Sequence, residues 1–310
     1  MTALKSAASA PADAIPSSWV ERAPAALRPF LRLSRYDRPV GFWLLGLPCL
    51  IGVAAARMTG GWTWEDVGLA ALFAIGAIAM RGAGCTYNDI LDRDIDGGVE
   101  RTALRPLPSG AVSLKGAWGW LLIQCLVGLA VLLCIPRFAQ IVALGSIPLV
   151  ALYPLMKRIT WWPQAWLGLT FNWGVLVAIA AIAGEIRIEH LVLYAGLICW
   201  TISYDTIYAI QDREDDALIG VKSTARLFEN NTHLAVGIIY AMSAALAAVS
   251  GYLIAGPLGA VASAPFAIHL AAQVWLLHSK GDAFALTLFR ANREAGILLA
   301  AGWAALGLLA

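Results

Sequence analysis

DVGLAALFAIGAIAMRGAGCTYNDILDRDID, residues 66 to 96, holds a long run of apolar and small residues and then four carboxylates, Asp89, Asp92, Asp94 and Asp96, in quick succession. A helix that crosses hydrocarbon needs about 20 mostly apolar residues, and 66–87 meets that length. If the helix continues past the membrane surface, Asn88, Asp92 and Asp96 recur every four residues along one face, with Asp89 beside the first. Carboxylates at the end of an apolar span are costly to desolvate and point to a ligand, an ion path or each other.

The rest of the chain shares this apolar character. Of 310 residues, 60% are hydrophobic and 14% charged, and the mean hydropathy is +0.71, far above what a soluble domain requires. The expected surroundings are a lipid bilayer. A formal net charge of +2 gives no reason to expect a nucleic-acid partner, and no obligate protein partner is inferred. Cys49, Cys85, Cys125, Cys134 and Cys199 lie within or beside apolar stretches without a C-x-x-C pair, which argues against disulfides or a thiolate metal site. Residues 1–34, rich in Ala, Pro and Ser, contain no signal-peptide core and predict a cytoplasmic tail with a short interfacial helix around Pro24 to Leu33. Residues 35–310 form the membrane domain.

Apolar runs predict an all-α polytopic membrane protein of nine transmembrane helices, near 40–57, 66–87, 113–134, 138–156, 164–184, 189–209, 233–254, 257–278 and 294–310. Basic residues set the orientation. With the N-terminus in the cytoplasm, all of the 22 Lys and Arg except Arg57, Arg137 and Arg187 fall on the cytoplasmic side or near it. That parity puts the loop after the second span and the loop after the sixth on one side, and their spacing hints at two similar four-helix halves. The expected location is the inner (cytoplasmic) membrane, multi-pass, with the active site facing the cytoplasm.

The sixth span carries a second acidic stripe. Asp205, Tyr208, Asp212 and Asp216 follow at steps of three, four and four, again on one helical face. Two facing acidic stripes repel unless cations lie between them. Magnesium suits such a place, because it prefers oxygen ligands and is typically held by one or two carboxylates together with substrate phosphates. Arg101, Arg105, Lys157, Arg158 and Lys222 lie near the same side and supply the positive half of a diphosphate site. Metal and cations that hold a departing diphosphate favour ionisation of an allylic diphosphate, and the apolar spans keep water from the cation that results.

Plainer readings were weighed. Asp92-Arg-Asp94-Ile-Asp96-Gly97 resembles the start of a calcium loop, but the twelfth position is Ala103 instead of Glu. A solvated acidic loop accounts for one cluster and not for two at helical spacing. Arg101 and Arg105 serve equally as membrane-surface anchors until their place beside the acidic stripe is considered, and Arg35, Asp37 and Arg38 are anchors or substrate contacts. His190, His233, His269 and His278 lack ligand-like spacing. An ion-coupled transporter with an acidic cation path is the competing class.

Several segments together resemble the UbiA superfamily of intramembrane prenyltransferases. They are RGAGCTYND (81–89), RPLPSG (105–110), YPLMKRIT (153–160) with WPQ (162–164), GLTFNWG (168–174), YDTIYA (204–209), QDREDD (211–216) and GVKSTA (220–225). The 153–160 and 220–225 segments look specific to the branch that prenylates 4-hydroxybenzoate in ubiquinone synthesis. The resemblance implies nine helices around a central cavity that opens laterally to lipid. It implies Mg2+ and diphosphate at Asn88, Asp89, Asp92, Asp96, Asp212 and Asp216, with Arg101, Arg105, Lys157, Arg158 and Lys222 as diphosphate or acceptor contacts. Arg38, Tyr153 and Tyr208 are the expected acceptor contacts, and Asp89, Asp92, Asp205 and Asp212 the expected catalytic carboxylates, with Asp205 or Asp212 taking a proton. The implied substrates are a polyprenyl diphosphate and 4-hydroxybenzoate, with haem B or a naphthoate as alternative acceptors.

Overall fold

The computed structural model describes residues 18–96, 105–213, 217 and 220–310, with backbone only at 94–96. Among the described residues every regular element is helical, as the hydropathy predicts: α1 (Arg28–Leu33), α2 (Val40–Arg57), α3 (Trp64–Asp96), α4 (Leu114–Leu133), α5 (Arg137–Leu144), α6 (Ile147–Ile159), α7 (Pro163–Phe171), α8 (Trp173–Ala183), α9 (Ile188–Ala209), α10 (Thr224–Phe228), α11 (Thr232–Ala262), α12 (Ala264–Lys280) and α13 (Ala285–Leu309). The second predicted span and the acidic stripe are therefore one continuous helix, α3. The chain divides into two compact units, Met1–Trp43 with Ala74–Val131 and Leu44–Phe73 with Leu132–Ala310.

Among the described residues, 7 stretches are long and apolar enough to cross a membrane: those of α2, α3, α4, α5 with α6, α7 with α8, α9, and α10 through α11. The two remaining predicted spans coincide broadly with α12, which has 17 residues, and with α13, which carries Arg290, Arg293 and Glu294 in its first half.

Two predicted spans are broken where side chains or proline disturb the backbone ladder. The span 138–156 divides at Gly145–Ser146, just before Pro148, whose missing N–H favours a fresh helix start. The span 164–184 divides at Asn172, whose amide donates to Gly168 O at 2.8 Å, Leu197 O at 3.0 Å and Thr201 Oγ1 at 2.7 Å. Neither break is visible in hydropathy, which averages over such a residue.

Helix α11 is not a single rod. Ala255 (φ −132°, ψ 22°) and Gly256 (φ 64°, ψ −152°) leave helical geometry just before Pro257, and Gly256 adopts a conformation open essentially to glycine. The chain reverses there. A Cβ on Gly251 would lie 2.4 Å from Gly259 O, and Ser263 Oγ donates to Ala247 O at 3.4 Å. The reversal falls where the sequence places the boundary between its seventh and eighth spans.

In the second unit α9 is the central element, packed against α7, α8, α11 and α13. Lipid tails are as apolar as leucine, so helix association in a bilayer rests on close packing and interhelical hydrogen bonds. Both are present. A Cβ on Gly196 would meet Leu246 Cβ at 3.0 Å, so α9 and α11 approach closely. Buried Asn292 of α13 accepts from Trp200 Nε1 at 2.7 Å and from Tyr240 Oη at 3.0 Å, and its amide donates to Gln273 Oε1 at 3.1 Å, which ties four helices together. In the first unit, Leu33, Ile90, Val112 and Ala117 form a core with Phe30, Leu107, Trp120 and Leu121. Large apolar side chains such as Leu122, Leu133, Ile268 and Trp275 remain exposed, a surface suited to lipid and hazardous in water.

Candidate active site

In the first unit Asp89 is fully buried at 0% exposure, and Asp92, one turn further along α3, is exposed by 1%. An unpaired buried carboxylate costs several kcal/mol. Asp89 meets that cost with two guanidiniums. Arg35 Nη2 donates to both Asp89 oxygens, at 2.7 and 3.0 Å, and Arg105 Nη1 lies 3.6 Å from Oδ1. Burial works against the charge on Arg35, but the Asp89 carboxylate outweighs it, so the guanidinium is held above its ordinary range.

The backbone that presents Arg35 is unusual. Helix α1 ends in a hydrogen-bonded reversal in which Arg35 N–H donates to Arg32 O and Tyr36 N–H to Leu31 O, both at 3.0 Å. This is the Schellman arrangement, whose penultimate residue is left-handed and usually glycine. Here that residue is Arg35, at φ 60°. Gly184 serves the same purpose at the end of α8, at φ 69°. A non-glycine residue held there costs about 1–3 kcal/mol. Ser34 braces the turn, because Trp120 Nε1 and Gln124 Nε2 both donate to its hydroxyl at 2.7 Å.

Neighbouring Asp37 is buried at 7% exposure. Its Oδ2 accepts from Arg38 Nε at 3.4 Å, while Oδ1 has no hydrogen-bond partner. The structure thus sets half-buried Arg105 against buried Asp89, with buried Asp92 one turn further along α3, and adds Arg35, which the sequence presents as an anchor or substrate contact. Asn88 is half-buried. The side chain of Asp96, and Arg101 altogether, lie outside the described residues.

In the second unit Asp205, Tyr208 and Asp212 of the predicted stripe can be placed. From Thr201 to Ile210 all side chains are buried except Asp205 and Tyr208, which are half-buried, and Asp212 continues that face at the end of a 3-10 turn, Ile210–Asp212. Aromatic packing backs the face, with the Tyr208 ring 4.5 Å from Phe289 and the Tyr204 ring 5.3 Å from Trp200. Asp216 lies outside the described residues.

The Gly220–Ser223 segment docks on the end of α6. Lys222 N–H donates to Lys157 O and its Nζ to Ile159 O, each at 3.1 Å, while Thr224 N–H donates to Gln164 Oε1 at 3.1 Å. Lys157 and Lys222, far apart in sequence, are thereby neighbours. Tyr153 and Lys157, four residues apart, are both half-buried and share a face of α6, whereas Arg158 is exposed.

Among the described residues no three His, Cys, Asp or Glu side chains come into range of a common metal ion. Such a donor set does not make an all-protein cage. It fits magnesium, which keeps waters and is usually held by one or two carboxylates with substrate phosphates completing the shell.

Comparison with known proteins agrees with this geometry. Residues 45–293 match the family described as "UbiA prenyltransferase family". The "4-hydroxybenzoate polyprenyltransferase, mitochondrial" of Aedes aegypti is 43% identical over 88% of this chain and 62% of its own length. The protein of the same name from Mus musculus is 45% identical over 91% of this chain and 76% of its own. The chain thus spans less than two thirds of the mosquito protein. Among solved structures, the apo UbiA homologue of Aeropyrum pernix K1 superposes with a TM-score of 0.69 at 28% identity, covering 84% of this chain and 96% of that one. A homologue from Archaeoglobus fulgidus bound to GPP and Mg2+ shares the fold, with a TM-score of 0.66 at 19% identity, covering 91% and 100%.

The relatives' names correct one expectation. They are mitochondrial, which overturns the expected placement in a cell's inner (cytoplasmic) membrane with the active site facing the cytoplasm. The family itself stands on the match to residues 45–293 and on identity across nearly the whole chain: this protein belongs to the UbiA prenyltransferase family.

Proposed function

We propose that the protein transfers a polyprenyl group from an allylic polyprenyl diphosphate to the ring carbon ortho to the hydroxyl of 4-hydroxybenzoate, releasing diphosphate. The observation that carries this reading is the half-buried Asp205, Tyr208 and Asp212 face on an otherwise buried helix end, in a chain 43% and 45% identical to proteins of that named activity. In the reaction the bond between the prenyl C1 and the diphosphate oxygen breaks, with its electron pair leaving on diphosphate. A new carbon–carbon bond forms to the ring, and the displaced ring proton passes to a carboxylate, Asp205 or Asp212. The phenolic oxygen feeds electron density to its ortho positions, and the carboxylate occupies the para one.

Arg101, Arg105, Lys157, Arg158 and Lys222 are the proposed diphosphate contacts. Positive charge fixed in advance where negative charge accumulates is the largest common contribution to catalysis. Asn88, Asp92, Asp96, Asp212 and Asp216 are the proposed oxygen ligands to Mg2+. When bound, the metal neutralises the departing diphosphate. Arg38, Tyr153 and Tyr208 are assigned to the acceptor. We also infer nine passes, the break at Gly256 separating the seventh from the eighth, with the N-terminal tail on the side rich in Lys and Arg.

Mass spectrometry of the product formed from 4-hydroxybenzoate and a mixture of prenyl diphosphates tests the reading. The expected result is a C-prenylated 4-hydroxybenzoate that disappears when EDTA is added. Prenylation of a naphthoate or haem B alone, or no covalent product with Mg2+ present, overturns it.

A further inference from the structure

We propose that Asp89 is a positioning residue that aims Arg105 at the diphosphate, with Arg35 as its fixed counter-ion, and is not itself a ligand to the metal. The inference deepens the proposed function and rests on it for the identity of the anion.

Four observations converge. Asn88, Asp92 and Asp96 lie along one line of α3 at intervals of four, and Asp89 is turned about 100° from Asn88. Asp89 is fully enclosed beside Ile90, a member of the unit's core. Asp92 on the neighbouring line is enclosed as well, so what sets Asp89 apart is its partners. Both Asp89 oxygens already accept from Arg35, and Oδ1 also faces Arg105. So engaged, the Asp89 carboxylate gives a metal cation little to gain.

The fourth observation is the backbone of residue 35. The turn after α1 asks for glycine, yet carries an arginine whose side chain reaches 54 residues along the chain to Asp89. Arg105 is fixed at its other end, because Ser109 N–H donates to Arg105 O at 3.0 Å and Val112 N–H to Pro106 O at 2.9 Å. Its backbone is set by that turn and its guanidinium by Asp89.

The test is equilibrium binding of a labelled prenyl diphosphate to the purified full-length protein in detergent, with Mg2+ and with EDTA, for wild type, D89N, R35G, R35K and D92N. Loss of one charge-assisted contact to the anion corresponds to about tenfold in affinity. D89N and R35G should weaken binding in EDTA by about that factor, and R35K should recover most of it. D92N, by contrast, should lose the gain from Mg2+. R35G relieves the left-handed strain but strands the buried Asp89 carboxylate, which costs more. The double variant D89N/R35G leaves no buried carboxylate without its partner and keeps the test decisive where a single variant does not fold. It too should bind about tenfold more weakly in EDTA.

Wild-type binding in EDTA by D89N, R35G or the double variant D89N/R35G, whether or not the Mg2+ gain is lost, overturns the proposal. Failure of the functional reading looks different: wild type then makes no prenylated product, while the comparison in EDTA still decides what Asp89 does.

Discussion

At the end of α3 the carboxylates are enclosed and met by guanidiniums, with Asp89 held between Arg35 and Arg105. At the end of α9 they stand on a half-open face where Tyr208 packs on the Phe289 ring, and deeper in the helix Trp200 joins an amide and phenol network around Asn292 of α13. The contrast separates two ways of keeping an acid at a membrane protein's core. One balances its charge within the protein and uses the ensemble as a rigid electrostatic part. The other leaves the acid partly reachable on a face whose aromatic and amide packing carries much of the helix's burial, so that the charge can be altered without undoing the fold.

That contrast can be broken at three points. The largest effect is expected from D212N, which should reduce turnover with saturating Mg2+ by about a hundredfold or more and leave the thermal midpoint near that of wild type. A large loss of stability would mean that the α9 face is structural after all. Next comes N292A, which strands buried Trp200 Nε1 and leaves Tyr240 Oη with only Gln273 Oε1 as acceptor. It should lower stability in detergent by about 2 kcal/mol, with turnover of the remaining folded protein largely kept. The smallest effect is expected from S223A. The Ser223 hydroxyl accepts from Arg226 N–H at 3.3 Å at the start of α10, and losing such a cap costs about 1 kcal/mol. Its signature is faster proteolysis between 213 and 224 without a change in product identity, and a change of product would instead place Ser223 at the substrate.

Much of this was legible in the sequence. Hydropathy located every long apolar stretch, and the spacing of Asp205, Tyr208 and Asp212 identified the face that the structure leaves half-open. The breaks at Gly145 and Asn172 were not legible, because a single polar or small residue hardly alters an average over twenty, although Asn172 re-routes three hydrogen bonds. Arg35 was read as an anchor or a substrate contact for a related reason. Nothing local announces a left-handed arginine, and its partner is remote in sequence. The meeting of Lys157 with Lys222 depends likewise on a loop docking through backbone hydrogen bonds, which residue patterns do not encode.

The torsion angles of Gly256 carry a topological consequence. Thr232 to Ala262 spans 31 residues, and an unbroken helix of that length would be about 46 Å long, against about 30 Å of hydrocarbon to cross. By folding back at one glycine, the chain makes two legs from one run of helix, at the boundary that the sequence places between 254 and 257. Whether the polypeptide crosses an odd or even number of times, and therefore on which side the loop joining α12 to α13 emerges, is decided at a single residue with no side chain.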